Sequence, residues 1–347
     1  MAEAPREAPR NVVPPDPVRL SRQAPEDILD PERPIVDAHH HLWDRADHRY
    51  LLPELLEDTG SGHRIVSTVF IDCMAFYRAG SSRLMRTVGE TEFANGVAAM
   101  AASGLYGPTL ACAGIVSHVD LTAGADQVRE ALMAHVAAGN GRFRGIRHSG
   151  AWDADHRVPR SHTQPPQGLY GREDFRAGFA QLAPLGLSFE AWQYHPQLDE
   201  VLALARAFPQ TSMILNHVGG PLGIGPYVGR QEETFQQWQR GMKALADCPN
   251  VVVKLGGLGM RIGVFDHHER ADPPDSAEVA RAWSPWVHGA IELFGAERCL
   301  FESNFPVDKI TCSYAVLWNA FKRMAAGASE AEKTALFSGT ATRIYRL

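Results

Sequence analysis

The chain has 347 residues, 45% of them hydrophobic and 21% charged, which is enough apolar material for a substantial buried core. Lys plus Arg is 34 against 40 Asp plus Glu, a net charge of −6 with no basic run to neutralise a phosphate backbone, so nucleic acid is not an expected partner. Met1-Ala-Glu-Ala-Pro-Arg6 has no apolar signal region and no stretch reaches the roughly 18 apolar residues of a membrane span; the expectation is a cytoplasmic protein with no membrane partner.

Residues 1–33 carry Pro5, Pro9, Pro14, Pro15, Pro17, Pro25 and Pro31 without a sustained apolar period, and read as an extended arm or a disordered leader. From Pro34 to Leu347, short apolar or β-branched runs alternate with longer helical patterns. Strands are expected at Ile35–His41, Ile65–Asp72, Leu110–Val119, Phe143–His148, Leu187–Trp192, Ser212–Val218, Val251–Leu255 and Cys299–Phe305. Between them, Asp126–Ala138, Gln197–Ala207, Glu232–Ala246, Glu278–Phe294 and Tyr314–Ala325 repeat apolar residues at three and four, as helices do. Eight strands alternating with helices predict one α/β domain, a (β/α)₈ TIM barrel over residues 34–347. An open doubly wound sheet would need a Gly-rich phosphate turn after an early strand; the stretch Gly219–Gly225 comes late and contains Pro221. Cys73, Cys112, Cys248, Cys299 and Cys312 are widely spaced with no CxxC pair, and read as reduced, largely buried thiols.

In a parallel barrel the strand interiors are apolar and the chemistry sits where strands end. The first strand ends Asp37-Ala38-His39-His40-His41, and strict alternation puts Asp37, His39 and His41 on one face with His40 on the other. Two imidazoles about 7 Å apart along one strand can converge on one ion or one water. The sixth strand ends in His217 before a Gly-Gly-Pro turn. The fourth ends Arg144-Gly145-Ile146-Arg147-His148, and an arginine there suits either a substrate carboxylate or a structural acid.

The segments Asp37-Ala-His39-His40-His41-Leu-Trp43, Arg144-Gly-Ile-Arg147-His148, Leu215-Asn-His217-Val-Gly-Gly-Pro221, Asn250-Val-Val-Val-Lys254-Leu-Gly-Gly-Leu258 and Arg298-Cys-Leu-Phe-Glu302-Ser-Asn304-Phe-Pro306 together resemble the amidohydrolase superfamily, in particular its lactonase-like branch of barrel hydrolases. That resemblance implies a barrel with His-x-His on strand one, matched by His39 and His41, a strand-six histidine, matched by His217, and an arginine for a substrate carboxylate, matched by Arg144 or Arg147. It also implies an aspartate after strand eight that activates water, with or without a divalent metal. Here the sequence departs, because Asn304 stands at that place, and an amide takes no proton from water near neutral pH.

Another acceptor is therefore required. Glu302, two residues earlier on the same face, is the leading candidate; Glu190 and Asp308 are the others, and Glu302 or Glu190 can instead pair with Lys254 inside the strand Val251–Leu255. His148, Glu190, His195 and Lys254 join Arg144 and Arg147 as candidate substrate-binding residues. His39, His41 and His217 would leave an open fourth position on a divalent ion, zinc above all, although some members of the resembled branch act without metal. The function implied is hydrolysis of a lactone or related cyclic ester carrying a carboxylate. The alternatives are metal-dependent non-oxidative decarboxylation, for which Asn304 is the wrong residue, and a catalytically altered barrel that binds a small molecule. The loops Trp152–Gly171 and Arg261–Ser276 are long enough to be lids or interfaces, and an apolar barrel exterior is compatible with a homo-oligomer.

Overall fold

The computed structural model describes residues 12–347. Eight strands form one sheet: β1 (Ile35–His40), β2 (Ile65–Ile71), β3 (Leu110–Ser117), β4 (Phe143–Arg147), β5 (Ser188–Ala191), β6 (Met213–Leu215), β7 (Val251–Leu255) and β8 (Cys299–Phe301). They pair in chain order, every neighbour parallel. The sheet closes on itself where His40 bridges Phe305, with His41 N donating to Phe305 O at 2.8 Å and Asn304 N to His39 O at 2.9 Å. The expected (β/α)₈ barrel is thus the fold. Its main helices are α1 (Leu52–Thr59), α2 (Val88–Ala102), α3 (Ala125–Ala138), α4 (Glu173–Phe179), α5 (Leu198–Ala207), α6 (Gln231–Ala246), α7 (Ser276–Phe294) and α8 (Tyr314–Met324).

Two apolar layers hold it. Inside the barrel, Val36, Ala38, Val69, Ile71, Val116, Ile214, Val252 and Leu300 pack with Ala341 and Tyr345, which the C-terminal helical turn Thr340–Tyr345 inserts from the end where the strands begin. Between barrel and helices, Trp238, Trp283, Trp286 and Trp318 are fully buried, and a buried aromatic of this size contributes about 2–3 kcal/mol by area removed from water.

β6 and β8 stop well short of the expected Ser212–Val218 and Cys299–Phe305. The cause is local: His217 and Asn304 have φ of 52° and 54°, outside the region a strand can use. The first strand also departs from strict alternation. A register shift between Asp37 and His40 lets Val36 and Ala38 face inward while Asp37 faces out, accepting hydrogen bonds from Ser303 N (2.8 Å), Ser303 Oγ (2.6 Å) and Tyr314 OH (3.0 Å). Asp37 therefore does not share a face with His39 and His41 as expected; it ties the last strand to α8.

Of the arm expected over residues 1–33, residues 1–11 lie outside the described residues. The remainder runs over the barrel. Buried Arg19 donates to the backbone oxygens of Arg270 (2.7 Å), His267 (2.7 Å), Ile310 (2.8 Å) and Thr311 (3.1 Å), and Glu26 accepts from Ser276 N (2.7 Å) and Asn319 Nδ2 (3.0 Å). The loop expected at Arg261–Ser276 is the surface this arm grips. All five cysteines are free and buried. Among the described residues no helix is long and apolar enough to cross a membrane.

Several imidazoles are buried in the scaffold. Burial pushes His135 and His148 down to about 3 and His63 to about 4, from an ordinary 6.5. Below pH 6.5 the unfolded chain binds protons that the folded chain refuses, so stability falls as pH falls. Asp308 and Glu90, raised to about 8 by burial, work in the opposite sense but are outnumbered, since His39, His40 and His41 are also pushed down by burial. The Tm should therefore be highest near about pH 6.5, ease down toward about pH 8 as Asp308 and Glu90 ionise, and drop progressively toward about pH 4.5; a flat or rising Tm on going from about pH 6.5 to about pH 4.5 in thermal unfolding would contradict this.

Candidate active site

The inward face of the sheet decides which polar residues reach the barrel's interior. Register pairs Arg147 with Glu190, Glu190 with Ile214 and Ile214 with Val252, and it pairs Leu300 with Lys254. Ile214, Val252 and Leu300 belong to the inner layer, so Arg147, Glu190 and Lys254 point inward too, with Glu302 two residues beyond Leu300. Lys254 Nζ lies 2.9 Å from Glu190 Oε2, and Glu190 also accepts hydrogen bonds from Asn216 Nδ2 and Tyr345 OH. This pair is wholly buried and does not line the cavity above it. Glu190 and Lys254 are therefore a floor, not substrate-binding groups.

Glu302 sits on that floor, 0% exposed. His217 addresses one of its oxygens twice, Nδ1 at 2.7 Å and backbone N at 3.2 Å from Oε1. The other oxygen, Oε2, lies 2.7 Å from His39 Nδ1 and 3.9 Å from Lys254 Nζ, yet has no aligned hydrogen-bond donor. The reason follows from the tautomers. The Ile71 carbonyl can only accept, so His41 Nδ1, at 2.8 Å, carries its proton, and His41 Nε2 is left as an acceptor. His39 Nε2, 3.2 Å away, then donates to it, which leaves His39 Nδ1 with a lone pair facing Lys254 Nζ at 3.3 Å and Glu302 Oε2. Arg147 Nη1, which can only donate, also lies 3.3 Å from His39 Nε2; the acceptor His41 Nε2 on one side of the ring and the donor Lys254 Nζ on the other together favour the relay through His41. Burial and then Lys254 hold His39 well below the usual imidazole value, and burial and then Arg147 do so for His41, so both are neutral at neutral pH.

Backbone geometry makes room for this cluster. A Cβ on Gly257, at φ +69°, would meet His217 Nδ1 at 2.2 Å, and one on Gly256 would meet Glu302 Cγ at 2.5 Å. The Gly-Gly after β7 is thus the space into which His217 and Glu302 pack. Asn304 donates Nδ2 to Asp308 Oδ1 at 2.8 Å, while Asp308 Oδ2 accepts from Gly259 N at 2.9 Å. With both oxygens committed, Asp308 orients the Asn304 amide and is not a free base.

Above the cluster, a cavity of about 520 Å³, open solvent included, is lined by His41, Arg147, His217 and Asn304, with Trp43 and Arg45 from a two-stranded ribbon after β1. Asp72 clamps Arg147: its Oδ1 accepts from Nε at 2.6 Å and its backbone oxygen from Nη2, and its Oδ2 lies 3.0 Å from His162 Nε2. Burial alone would raise the Asp72 carboxyl, but Arg147 and then His162 outweigh it and hold it well below the usual range.

Three expected binding residues lie elsewhere. Arg144 is on the outward face near the strand's start, bonding Gly141 O and Arg346 O. His148 packs outside the barrel wall, accepting from Leu121 N at 3.2 Å against His118 and Phe175. His195 accepts from Leu222 N at 3.3 Å and packs on Tyr227, away from the cavity. Conversely, sequence reasoning missed Asp72 and Arg45, and reached His162 only as a member of the loop Trp152–Gly171. Asp72 ends the strand expected over Ile65–Asp72 and obeys the same strand-end rule that singles out His39; the other two sit on connections with no periodic signal.

A donor set for a divalent ion is present, but it is not the three histidines expected. His39, His217 and Glu302 have one ligand atom each within 4.8 Å of one another, while His41 is held by Ile71. The facing lone pairs of His39 Nδ1 and Glu302 Oε2, the latter without a hydrogen-bond donor, fit a cation in type, and the cation they face in this structure is the Lys254 ammonium, at 3.3 and 3.9 Å.

A closed parallel barrel with buried histidines and a carboxylate at its mouth is the architecture of a barrel hydrolase. A family model for amidohydrolases matches residues 36–347, and the chain belongs to that family. A Sinorhizobium fredii protein whose name states no activity is 33% identical over 90% of this chain and 98% of its own. An L-fucono-1,5-lactonase of Burkholderia multivorans is 28% identical over 59% of this chain and 64% of its own length. Among solved structures, an amidohydrolase from Burkholderia multivorans with bound zinc has a TM-score of 0.69 and 25% identity, covering 90% of this chain and 99% of that one.

The tautomer assignment is open to direct measurement. In metal-free protein, ¹⁵N NMR should show the His217 ring protonated at Nδ1 with an unprotonated Nε2, identified by loss of the signals in His217→Asn. A protonated Nε2 would contradict the hydrogen bond to Glu302.

Proposed function

We propose that this protein hydrolyses a cyclic ester, opening a lactone with a water activated by His217. The observation that carries the reading is the bond between His217 Nδ1 and Glu302. With its Nδ1 proton committed to the carboxylate, the imidazole has Nε2 free to take a proton, and the carboxylate stabilises the cation that forms. The base is then His217 oriented by Glu302, in place of the aspartate absent at Asn304.

The chain's groups support each step. Asp72 holds Arg147 by Nε and Nη2, leaving Nη1 as the donor aimed at the site, suited to the oxyanion that develops when water adds to the ester carbonyl. Asn304, its Nδ2 taken by Asp308, offers Oδ1 to hold the water. Water oxygen bonds to the acyl carbon as its proton passes to His217 Nε2; the ring C–O bond then breaks and the same proton goes to the departing alkoxide, giving a hydroxy acid. A divalent ion, zinc by donor type, would be held by His39 Nδ1 and Glu302 Oε2, leaving His217 Nε2 to act as the base, and would supply Lewis-acid polarisation of the carbonyl. The lactonase relative supports the reaction class.

A panel of five- and six-membered lactones, followed by proton release, tests the reading; turnover of none, or carbon dioxide release from aromatic carboxylates instead, would reject it. On a turned-over lactone, Glu302→Gln should lower kcat by about 10²-fold or more with KM changed far less. Its Tm should stay close to the wild type's, since Lys254 keeps Glu190. Full activity in Glu302→Gln together with loss in Asp308→Asn would place the base elsewhere.

A further inference from the structure

The cavity has two guanidinium groups in its lining, and they are not equivalent. Arg147 is already neutralised by Asp72, whose carboxylate accepts from Nε and whose backbone oxygen accepts from Nη2. Arg45 has no carboxylate partner among the described residues. It lies flat on Trp43, its guanidinium carbon 3.9 Å from the ring centroid. Trp43 is itself fixed, stacked on His41 at 5.8 Å and 20° and donating Nε1 to His48 Nδ1 at 3.3 Å. This half-buried arginine bears a desolvation cost that outweighs the favourable fields of Cys73 and Asp47, neither of which forms an ion pair with it, and its plane is preorganised for a bidentate acceptor.

The rest of the lining agrees. Among the described residues no Asp or Glu lines the cavity, and besides the imidazoles and guanidiniums the walls are chiefly Trp192, Met260, Val307 and Val12, with Ser161 and Asn304 as the neutral polar members. Such walls offer few acceptors to a ring studded with hydroxyls, and none to a cationic substituent.

We propose that Arg45 is a specificity-determining residue that binds a carboxylate substituent of the substrate, so that the substrate class is a carboxylated lactone with an otherwise largely apolar ring, not a polyhydroxylated sugar lactone. The inference rests on the lactone reading for its reaction but on Arg45 alone for its charge preference. The carboxylate lies flat against the Arg45 fork while the ester carbonyl reaches Arg147 and His217.

The test compares γ-butyrolactone-γ-carboxylate with its uncharged primary amide, and with a polyhydroxylated aldonolactone, as kcat/KM on wild type, Arg45→Met and Arg45→Lys. Methionine keeps an apolar stem over Trp43 and removes the charge. The wild type should favour the carboxylate over the amide by about 10-fold or more, the scale of one charged contact. That ratio should fall toward one in Arg45→Met and be partly kept in Arg45→Lys. Equal rates on acid and amide in the wild type, a ratio unchanged in Arg45→Met, or preference for the aldonolactone would overturn the proposal while leaving lactone hydrolysis standing. If no lactone is turned over, calorimetric titration with glutarate decides the binding claim separately. Affinity weakened about 10-fold or more in Arg45→Met supports it, and equal affinities or no binding by the wild type overturn it. Should Arg45→Met fail to fold by near-ultraviolet circular dichroism, the same ratios are read on Arg45→Gln.

Discussion

A carboxyl group shut away from water must have its oxygens answered by the protein, because the cost of leaving it unanswered is several kcal/mol. Glu302 is such a group, and the upper barrel is arranged around it. His217 binds one oxygen by ring and backbone, and to do so adopts φ +52° at the end of a strand that stops early. His39 and Lys254 face the other oxygen, and Lys254 is shared with Glu190, which Tyr345 reaches from the opposite end of the barrel. The C-terminal segment that closes the base is thus connected through two buried carboxylates to the imidazoles at the mouth. The pair of glycines after β7 belongs to the same constraint, since any side chain there would occupy the space of His217 or Glu302.

The same charge logic separates the two arginines of the cavity. Asp72 makes Arg147 a rigid, neutralised donor, good for a developing oxyanion and poor for attracting an anion from solution. Arg45, on Trp43, retains its charge. A site that needs both an oxyanion donor and an anion recogniser can divide the tasks in this way.

Much of this was legible in the sequence because parallel strands and their alternation leave strong signals. All eight strands were locatable as apolar runs, and Lys254 and Glu190 stood out as charges inside two of them, where pairing was the economical solution. Strand ends were harder: the runs through His217 and Asn304 remain apolar after the backbone has left the strand region, so pattern alone overshoots. Alternation misplaced Asp37, because a register shift inside β1 changes which side chains face in, and no residue type marks that shift. It left Arg144 and Arg147 equivalent until the pairing of Arg147 with Glu190 fixed the inward face. The partners Asp72 and His162 are separated from Arg147 by 75 and 15 positions respectively and from each other by 90, distances at which only the folded chain reports contact.

The account stands on the claim that His217, oriented by Glu302, faces the reacting carbonyl. A crystal structure of Glu302→Gln soaked with a lactone that the wild type hydrolyses would test it most directly, since the slow variant should retain the unopened ring. The account predicts the ester carbonyl carbon above His217 Nε2, within reach of one intervening water, and its oxygen on Arg147 Nη1. A lactone bound with its carbonyl turned away from both His217 and Arg147 would contradict it.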